Sequence, residues 1–216
     1  MDQNAVSTHV IAASRPAPGN PAAVGLAEIK TETVRKSLHF LIALSPGMVA
    51  INHAFTVSLL AAGILFYACA ECLRLAGIRV PLVSKITKIA SRSRDDGKLV
   101  FGPVTLGIGA LIALLFYPAP AAAIAVYALA FGDGLASLIG KLYGSIRPSF
   151  MMGKSIEGSA ACFAAVLASA FLVSHNIQAA VVAAVVATVV EALPLENYDN
   201  IAIPVSVGLV LRFTLL

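Results

Sequence analysis

Apolar stretches of roughly membrane length recur along this chain of 216 residues, and they constrain its fold more than any other feature. A transmembrane helix needs about 20 apolar residues to cross roughly 30 Å of hydrocarbon. By that measure the sequence predicts seven spans, at residues 37–51, 54–73, 100–117, 121–140, 158–174, 178–193 and 199–215. Several spans are short and only PLENY separates the last two, so six or eight spans remain alternatives. The expected fold class is an all-α, polytopic transmembrane bundle.

Composition supports a membrane protein and excludes other classes. Hydrophobic residues make up 59% of the chain and charged residues 12%, whereas soluble domains carry roughly 25% charged residues. Three cysteines are too few for a disulfide scaffold. The chain is also too apolar for a disordered protein.

The charged residues predict the orientation of the bundle. Loops INH, YPAP and SHNIQ carry no formal charge, whereas three basic residues, Lys30, Arg35 and Lys36, lie shortly before the first span, seven follow the second span and three follow the fourth. The positive-inside rule therefore predicts a cytoplasmic N-terminus. Topology accounts for nearly all of the basic residues, so we expect no nucleic-acid partner.

We expect two regions of different order. Residues 1–27 include SRPAPGNPAAVG, have no apolar periodicity and lack the pattern of a cleaved signal peptide, which predicts a disordered tail. Residues 28–216 are expected to form one transmembrane catalytic domain. Within it, the basic run 81–98 is either a surface-lying amphipathic helix or an ordinary loop.

Asp133 is the most informative single residue. It falls inside the fourth predicted span, in AFGDGLASLIG, where a charge costs roughly 2.5 to 3.5 kcal/mol and so requires compensation. A structural hydrogen bond to another helix is the alternative to a functional role. Further polar clusters stand at the predicted cytoplasmic ends of the spans: Arg35 with His39, Glu71 with Arg74, Glu191, and Asp199 with Asn200.

The segment MMGKSIEGSA is a candidate phosphate site. It fails as a P-loop, because the first glycine of that motif would fall at Pro148 and no predicted strand precedes it. Lys154 and Ser155, before a helix that begins near Gly158, still offer a cation, a hydroxyl and free backbone amides to phosphate oxygens. A flexible loop with a lysine reaching for water is the alternative.

Several motifs in order along the chain resemble those of the dolichol kinase and phytol kinase family, which includes polyprenol kinases and CTP-dependent diacylglycerol kinases. They are RKSLH at 35–39, ECLR at 71–74, FGDGLASLIGKLYG at 131–144, GKSIEGS at 153–159, Glu191, and YDNIAIP at 198–204. The resemblance runs from about residue 32 to the C-terminus. Tyr198 stands where the family often has a second acidic residue.

The resemblance implies phosphoryl transfer from CTP, with Mg²⁺, to the hydroxyl of a membrane lipid alcohol. It carries that role onto a set of polar residues: Arg35, Lys36, His39, Glu71, Asp133, Lys154, Glu157, Asp199 and Asn200. Together with the residue-level reasoning, we expect Asp133, His39 or Glu191 to be the general base and Asp133 and Asp199 to hold the metal. The donor is expected to bind at Arg35, Lys36, Glu71, Arg74, Lys154, Ser155, Glu157, Gly158 and Asn200.

Two other functions were weighed. A phospholipid cytidylyltransferase would use the same face, nucleotide and metal but would release pyrophosphate. A transporter is disfavoured, because it would need a polar path to both faces and the outer loops are short and uncharged. The expected location is a bacterial inner membrane, with the active site facing the cytoplasm; the alcohol, the choice of CTP over ATP and the oligomeric state stay open.

Overall fold

The computed structural model describes residues 26–78, 80–81, 87 and 98–214. The tail predicted at 1–27 lies outside these residues except for its last two positions, where the first helix has already begun. The basic run 81–98 also lies outside them, apart from Pro81, Thr87 and Lys98.

All the regular structure of the described residues is helical. Helices overlap all the predicted spans, but the first span, 37–51, contains the end of one helix, a break and a second, shorter helix. The helices are α1 (Leu26–Ile42), α2 (Ser45–Ile51), α3 (His53–Leu75), α4 (Gly102–Phe116), α5 (Ala121–Tyr143), α6 (Ile156–Ser174), α7 (Ile177–Ala192) and α8 (Asp199–Thr214). A 3₁₀ turn at Ser149–Met151 precedes α6. Helix α5 contains a π-helical segment, Ala128–Asp133.

Polar caps define where several helices begin. Asn52 accepts a hydrogen bond from the Phe55 amide at the start of α3, and Asn176 accepts from two amides at the start of α7. Ser155 caps α6 through the amide of Gly158. These side chains satisfy amides that have no partner within their own helix.

Small residues let the helices pack closely around α5. Helix α7 buries an alanine stripe, at residues 179, 180, 183, 184 and 187, which packs against α6 and α8. Gly109 marks a still closer approach: a Cβ atom there would lie 2.0 Å from the Asn200 carbonyl oxygen. Such small-residue contacts are typical of helix packing in membranes.

The outer surface fits a lipid environment. Four helical segments are long and apolar enough to cross a membrane, namely Thr31–Ile51, His53–Leu75, Ala121–Tyr143 and Ile156–Ser174, and α4 and α7 are shorter apolar helices. Large apolar side chains such as Leu65, Phe66 and Leu172 are exposed on this surface. Length, composition and this surface together indicate an all-α membrane protein.

Candidate active site

Most of the predicted site residues line one polar cleft of about 380 Å³. It lies where α1, the second half of α5 and the loop before α6 meet the ends of α7 and α8. The predicted residues in its lining are Arg35, Lys36, Asp133, Lys154, Ser155, Gly158, Glu191, Asp199 and Asn200. Residues from opposite ends of the sequence thus converge on a single cleft.

Asp133 is buried at the end of the π-helical segment of α5. The Lys36 ammonium lies 2.5 Å from its Oδ2 atom, and His39 Nδ1 lies 3.1 Å from the same oxygen. Lys36 therefore supplies the charge compensation that the sequence demanded. The His39 contact is not aligned as a hydrogen bond, and this buried nitrogen has no hydrogen-bond partner among the described residues. π-Helical segments are found mostly as local bulges, and often at functional sites.

Glu32, which the sequence analysis did not select, orients three cations at the cleft. Arg35 donates to both of its carboxylate oxygens at 3.0 and 3.2 Å, and Lys141 donates to Oε2 at 2.6 Å. The Lys36 ammonium lies 4.0 Å from Oε1. Arg35, Lys36 and Lys141 all line the cleft, while Glu32 is only 1% exposed. The three- and four-residue spacings from Glu32 to Arg35 and Lys36 were a visible signal, since such pairs share a helix face.

Lys154 reaches the cleft from the loop before α6. Its ammonium donates to the Glu191 carbonyl oxygen and lies 3.5 Å from Glu191 Oε1 and 3.8 Å from Asp199 Oδ2. Ser159 donates to the other Glu191 carboxylate oxygen at 3.1 Å. Glu191 therefore binds both Lys154 and the first turn of α6.

The loop that carries Lys154 is fixed by Arg147. The Arg147 guanidinium donates to the carbonyl oxygens of Gly153 at 2.5 Å and Gly140 at 2.6 Å. Gly153 has a φ of 95°, a left-handed conformation that glycine adopts at little cost. The loop therefore presents the amide-rich N-terminus of α6 to the cleft, a favourable environment for an anion.

Asn200 joins the start of α8 to α4. Its side-chain amide donates to Thr105 Oγ1 at 2.9 Å and to the Gly102 carbonyl oxygen at 3.3 Å. Its backbone amide donates to Asp199 Oδ1 at 2.9 Å. The Asp199 carboxylate is thus oriented into the cleft, and its nearest cation in the cleft, Lys154, lies beyond hydrogen-bonding distance.

Three predicted donor-binding residues do not line the cleft. Glu71 is fully buried, accepts two hydrogen bonds from Arg74 and binds the Val100 amide at 2.9 Å. Arg74 also donates to the Lys98 carbonyl oxygen. Glu157 accepts from the backbone amides at 145 and 146. All three hold loop backbone, so this geometry does not support the prediction that they bind the donor.

The carboxylates of Asp133 and Asp199 are better suited to a metal ion that enters bound to phosphate than to an ion that the protein holds permanently. Among the described residues, no group of three or more His, Cys, Asp or Glu side chains could hold a metal. Asp133 is already neutralised by Lys36, while the nearest cation to Asp199 among the described residues, Lys154, lies 3.8 Å away. Mg²⁺ typically takes one or two carboxylates together with substrate phosphate oxygens and water.

Comparison with known proteins found relatives but no matching family model and no matching solved structure. The chain is 29% identical over 160 residues to a probable chloroplastic phytol kinase of Triticum aestivum, covering 65% of this chain and 53% of that protein. It is 30% identical over 173 residues to a probable phytol kinase of Glycine max, covering 69% and 56%.

An uncharacterised protein of Methanocaldococcus jannaschii is 28% identical over 136 residues, covering 62% of this chain and 68% of that protein. The chain spans about half the length of the plant relatives. The comparisons therefore support a likeness to phytol kinases, at low identity.

Proposed function

We propose that this chain is a membrane lipid-alcohol kinase. It transfers the γ-phosphoryl group of CTP, or of another nucleoside triphosphate, to the hydroxyl of phytol, a polyprenol or diacylglycerol. The observation that carries the proposal is the cleft, in which a buried Lys36–Asp133 pair lies among further cations. The likeness to proteins named phytol kinase supports the same reaction class.

The cations of the cleft are proposed to hold the donor phosphates. Arg35, Lys141 and Lys154 approach the cleft from three separate elements, and the N-terminus of α6 adds backbone amides. Phosphoryl transfer asks a protein mainly for positioning and neutralisation of charge. A cleft lined by cations from several elements can provide both.

Asp199 is the carboxylate best placed to hold Mg²⁺ that enters with the donor. Asp133 can serve as a second ligand if Lys36 turns from its carboxylate to a phosphate oxygen. When bound, the ion would neutralise charge on the phosphates. The remaining tasks of orienting the donor and the alcohol fall to the chain's own side chains.

We propose that Asp133 and His39 together accept the proton of the acceptor hydroxyl. Glu191 is a weaker candidate, because Lys154 and Ser159 already occupy its carboxylate. In the reaction, the alcohol oxygen bonds to the γ-phosphorus while the bond from that phosphorus to the bridging oxygen breaks. The proton passes to the pair and a nucleoside diphosphate leaves.

The cleft is proposed to face the cytoplasm of a bacterial cell from the inner membrane, in a bundle of seven spans with a cytoplasmic N-terminus. The Lys154 contacts to Glu191 and Asp199 support part of this topology, because they bring the loop before α6 and the start of α8 to the same end of the bundle. Cysteine labelling that found positions 154 and 199 on opposite faces of the membrane would overturn it.

Thin-layer analysis tests the proposed reaction. Purified protein in lipid nanodiscs would receive γ-labelled CTP or ATP, Mg²⁺ and one alcohol at a time from phytol, a polyprenol and diacylglycerol. We expect label on at least one alcohol, and none with the Asp133→Asn variant. Label on none of the alcohols with either donor would refute the proposal.

A further inference from the structure

A second cavity lies between α1, α2, α3 and α4, and its lining is apolar, unlike that of the cleft. It has a volume of about 470 Å³, and none of the described residues that line it is charged. Leucine, isoleucine and methionine side chains form most of its wall, including Leu38, Ile42 and Leu106. We call this cavity the apolar groove.

The few polar side chains in the apolar groove already have partners. Ser45 donates to the Ile42 carbonyl oxygen and Thr56 to the Asn52 carbonyl oxygen, each at 2.8 Å. The Tyr67 hydroxyl donates to the Val100 carbonyl oxygen at 3.4 Å. These hydroxyl protons are thus already donated, so a polar ligand would find little among the described residues to replace its lost hydration, a loss that is costly in an apolar site. The groove is suited to hydrocarbon.

Two helices of the groove, α1 and α4, also carry residues that contact side chains of the polar cleft. On α1, the groove residue Leu38 directly precedes His39, whose ring contacts Asp133. On α4, the groove residue Leu106 directly follows Thr105, which accepts a hydrogen bond from Asn200 of the cleft. Two adjacent helices therefore each carry a groove residue next to a residue that contacts the cleft.

We propose that the apolar groove holds the hydrocarbon chain of the alcohol substrate, with its hydroxyl directed past His39 toward Asp133. This inference rests on the proposed function and specifies where its acceptor binds. It commits to the isoprenoid chain of the substrate as occupant, because the groove is apolar and residues next to its wall on α1 and α4 contact the cleft. An acyl chain of the surrounding bilayer is the competing occupant.

Gly63 on α3 offers a selective way to fill the groove. It lines the groove, and a Cβ atom built there meets nothing within 4 Å. The Cβ atom of Gly63→Leu would thus meet no neighbour, and the rest of the side chain would take up space at the groove. The substitution should also favour the helix, since glycine is the poorer helix former. Ala62→Leu is a matched control, because Ala62 is the exposed neighbour on α3 and does not line the groove.

The test compares a long alcohol with a short one. Phytol and geraniol would each be assayed with wild type, Gly63→Leu and Ala62→Leu. We expect Gly63→Leu to lower kcat/KM for phytol by at least about ten-fold, a typical penalty for a size change in an apolar pocket. Activity with geraniol and the KM for the nucleotide should stay near wild type, as should all parameters of Ala62→Leu. Equal effects on both alcohols, or no effect on phytol, would overturn the inference.

A binding experiment separates failure of this inference from failure of the proposed function. A phytol analogue with a photoreactive diazirine at the far end of its chain would be cross-linked to wild-type protein without nucleotide. We expect labelled peptides from α3 and α4, with labelling suppressed by excess phytol. Labelling that phospholipid suppresses as well as phytol does would assign the groove to bilayer lipid. If phytol competes but no transfer activity is found, the groove assignment stands and the kinase proposal fails.

Discussion

The buried pair of Lys36 and Asp133 gives the most informative perturbation. Both side chains are almost completely buried and their charged atoms lie 2.5 Å apart. Lys36→Met removes the cation and Asp133→Asn removes the anion with little change in volume. The double variant replaces the pair by two neutral side chains.

The structure predicts different stability losses for the three variants. Removing one partner of a buried pair costs about 3 to 5 kcal/mol, whereas replacing both partners is often close to neutral. Asp133→Asn keeps an oxygen facing Lys36, and Glu32 lies 4.0 Å away as a second acceptor, so its loss should lie near the lower limit. Lys36→Met leaves the Asp133 carboxylate with His39 as its close ionisable neighbour among the described residues, so its loss of stability should lie near the upper limit.

Across the three variants, the loss of activity should not parallel the loss of stability. We expect all three variants to lose at least about 10²-fold in kcat, the low end for loss of a general base. The free energy of unfolding of the double variant should nevertheless be close to that of wild type. Chemical denaturation in detergent micelles measures the free energy of unfolding, and initial rates of transfer from γ-labelled donor measure kcat.

The outcome that refutes this reasoning is recovery of both properties together. If the double variant regains near-normal turnover along with its stability, the pair is structural and the proton acceptor must be sought at Glu191. Single variants that are fully stable would contradict the buried pair itself.

Three further changes test other parts of the account. Lys154→Ala should raise the nucleotide KM and lower kcat, since a cation on the donor also stabilises charge that develops during transfer; unchanged kinetics with both CTP and ATP would exclude it from the site. Glu32→Gln should raise the nucleotide KM and its salt sensitivity while the KM for the alcohol stays constant, because three cations lose their shared partner; a parallel change in both KM values would contradict this. Gly109→Ala should cost about 1 to 3 kcal/mol in unfolding free energy through overpacking, because its Cβ would collide with the Asn200 carbonyl oxygen, whereas Gly47→Ala, which meets no atom within 4 Å, is the control.

The positions of the helices were predictable from apolar runs, because each run of that length must satisfy its backbone internally in lipid. The break inside the first predicted span was not predicted, although Pro46 stands at the start of α2 and is typical of a first helical turn. The π-helical segment that ends at Asp133 has no signal in the sequence, since it depends on packing among neighbouring helices.

The sequence predicted which residues form the site better than it predicted the contacts between them. Asp133 stood out because a charge inside a span needs compensation, yet the identity of its partner, 97 positions earlier, depends on tertiary packing. Glu71 and Arg74 show the opposite case. Their three-residue spacing gave the ion pair, but only the fold shows that Glu71 binds the amide of Val100 instead of facing the cleft.

Transfer of label from the two ends of the donor tests the central claim most directly. Wild-type protein in nanodiscs would receive phytol and either γ-labelled or α-labelled CTP. The account predicts labelled lipid from γ-labelled CTP only, with CDP formed in equal amount. Lipid labelled from α-labelled CTP with release of pyrophosphate, or lipid labelled from neither, would contradict it.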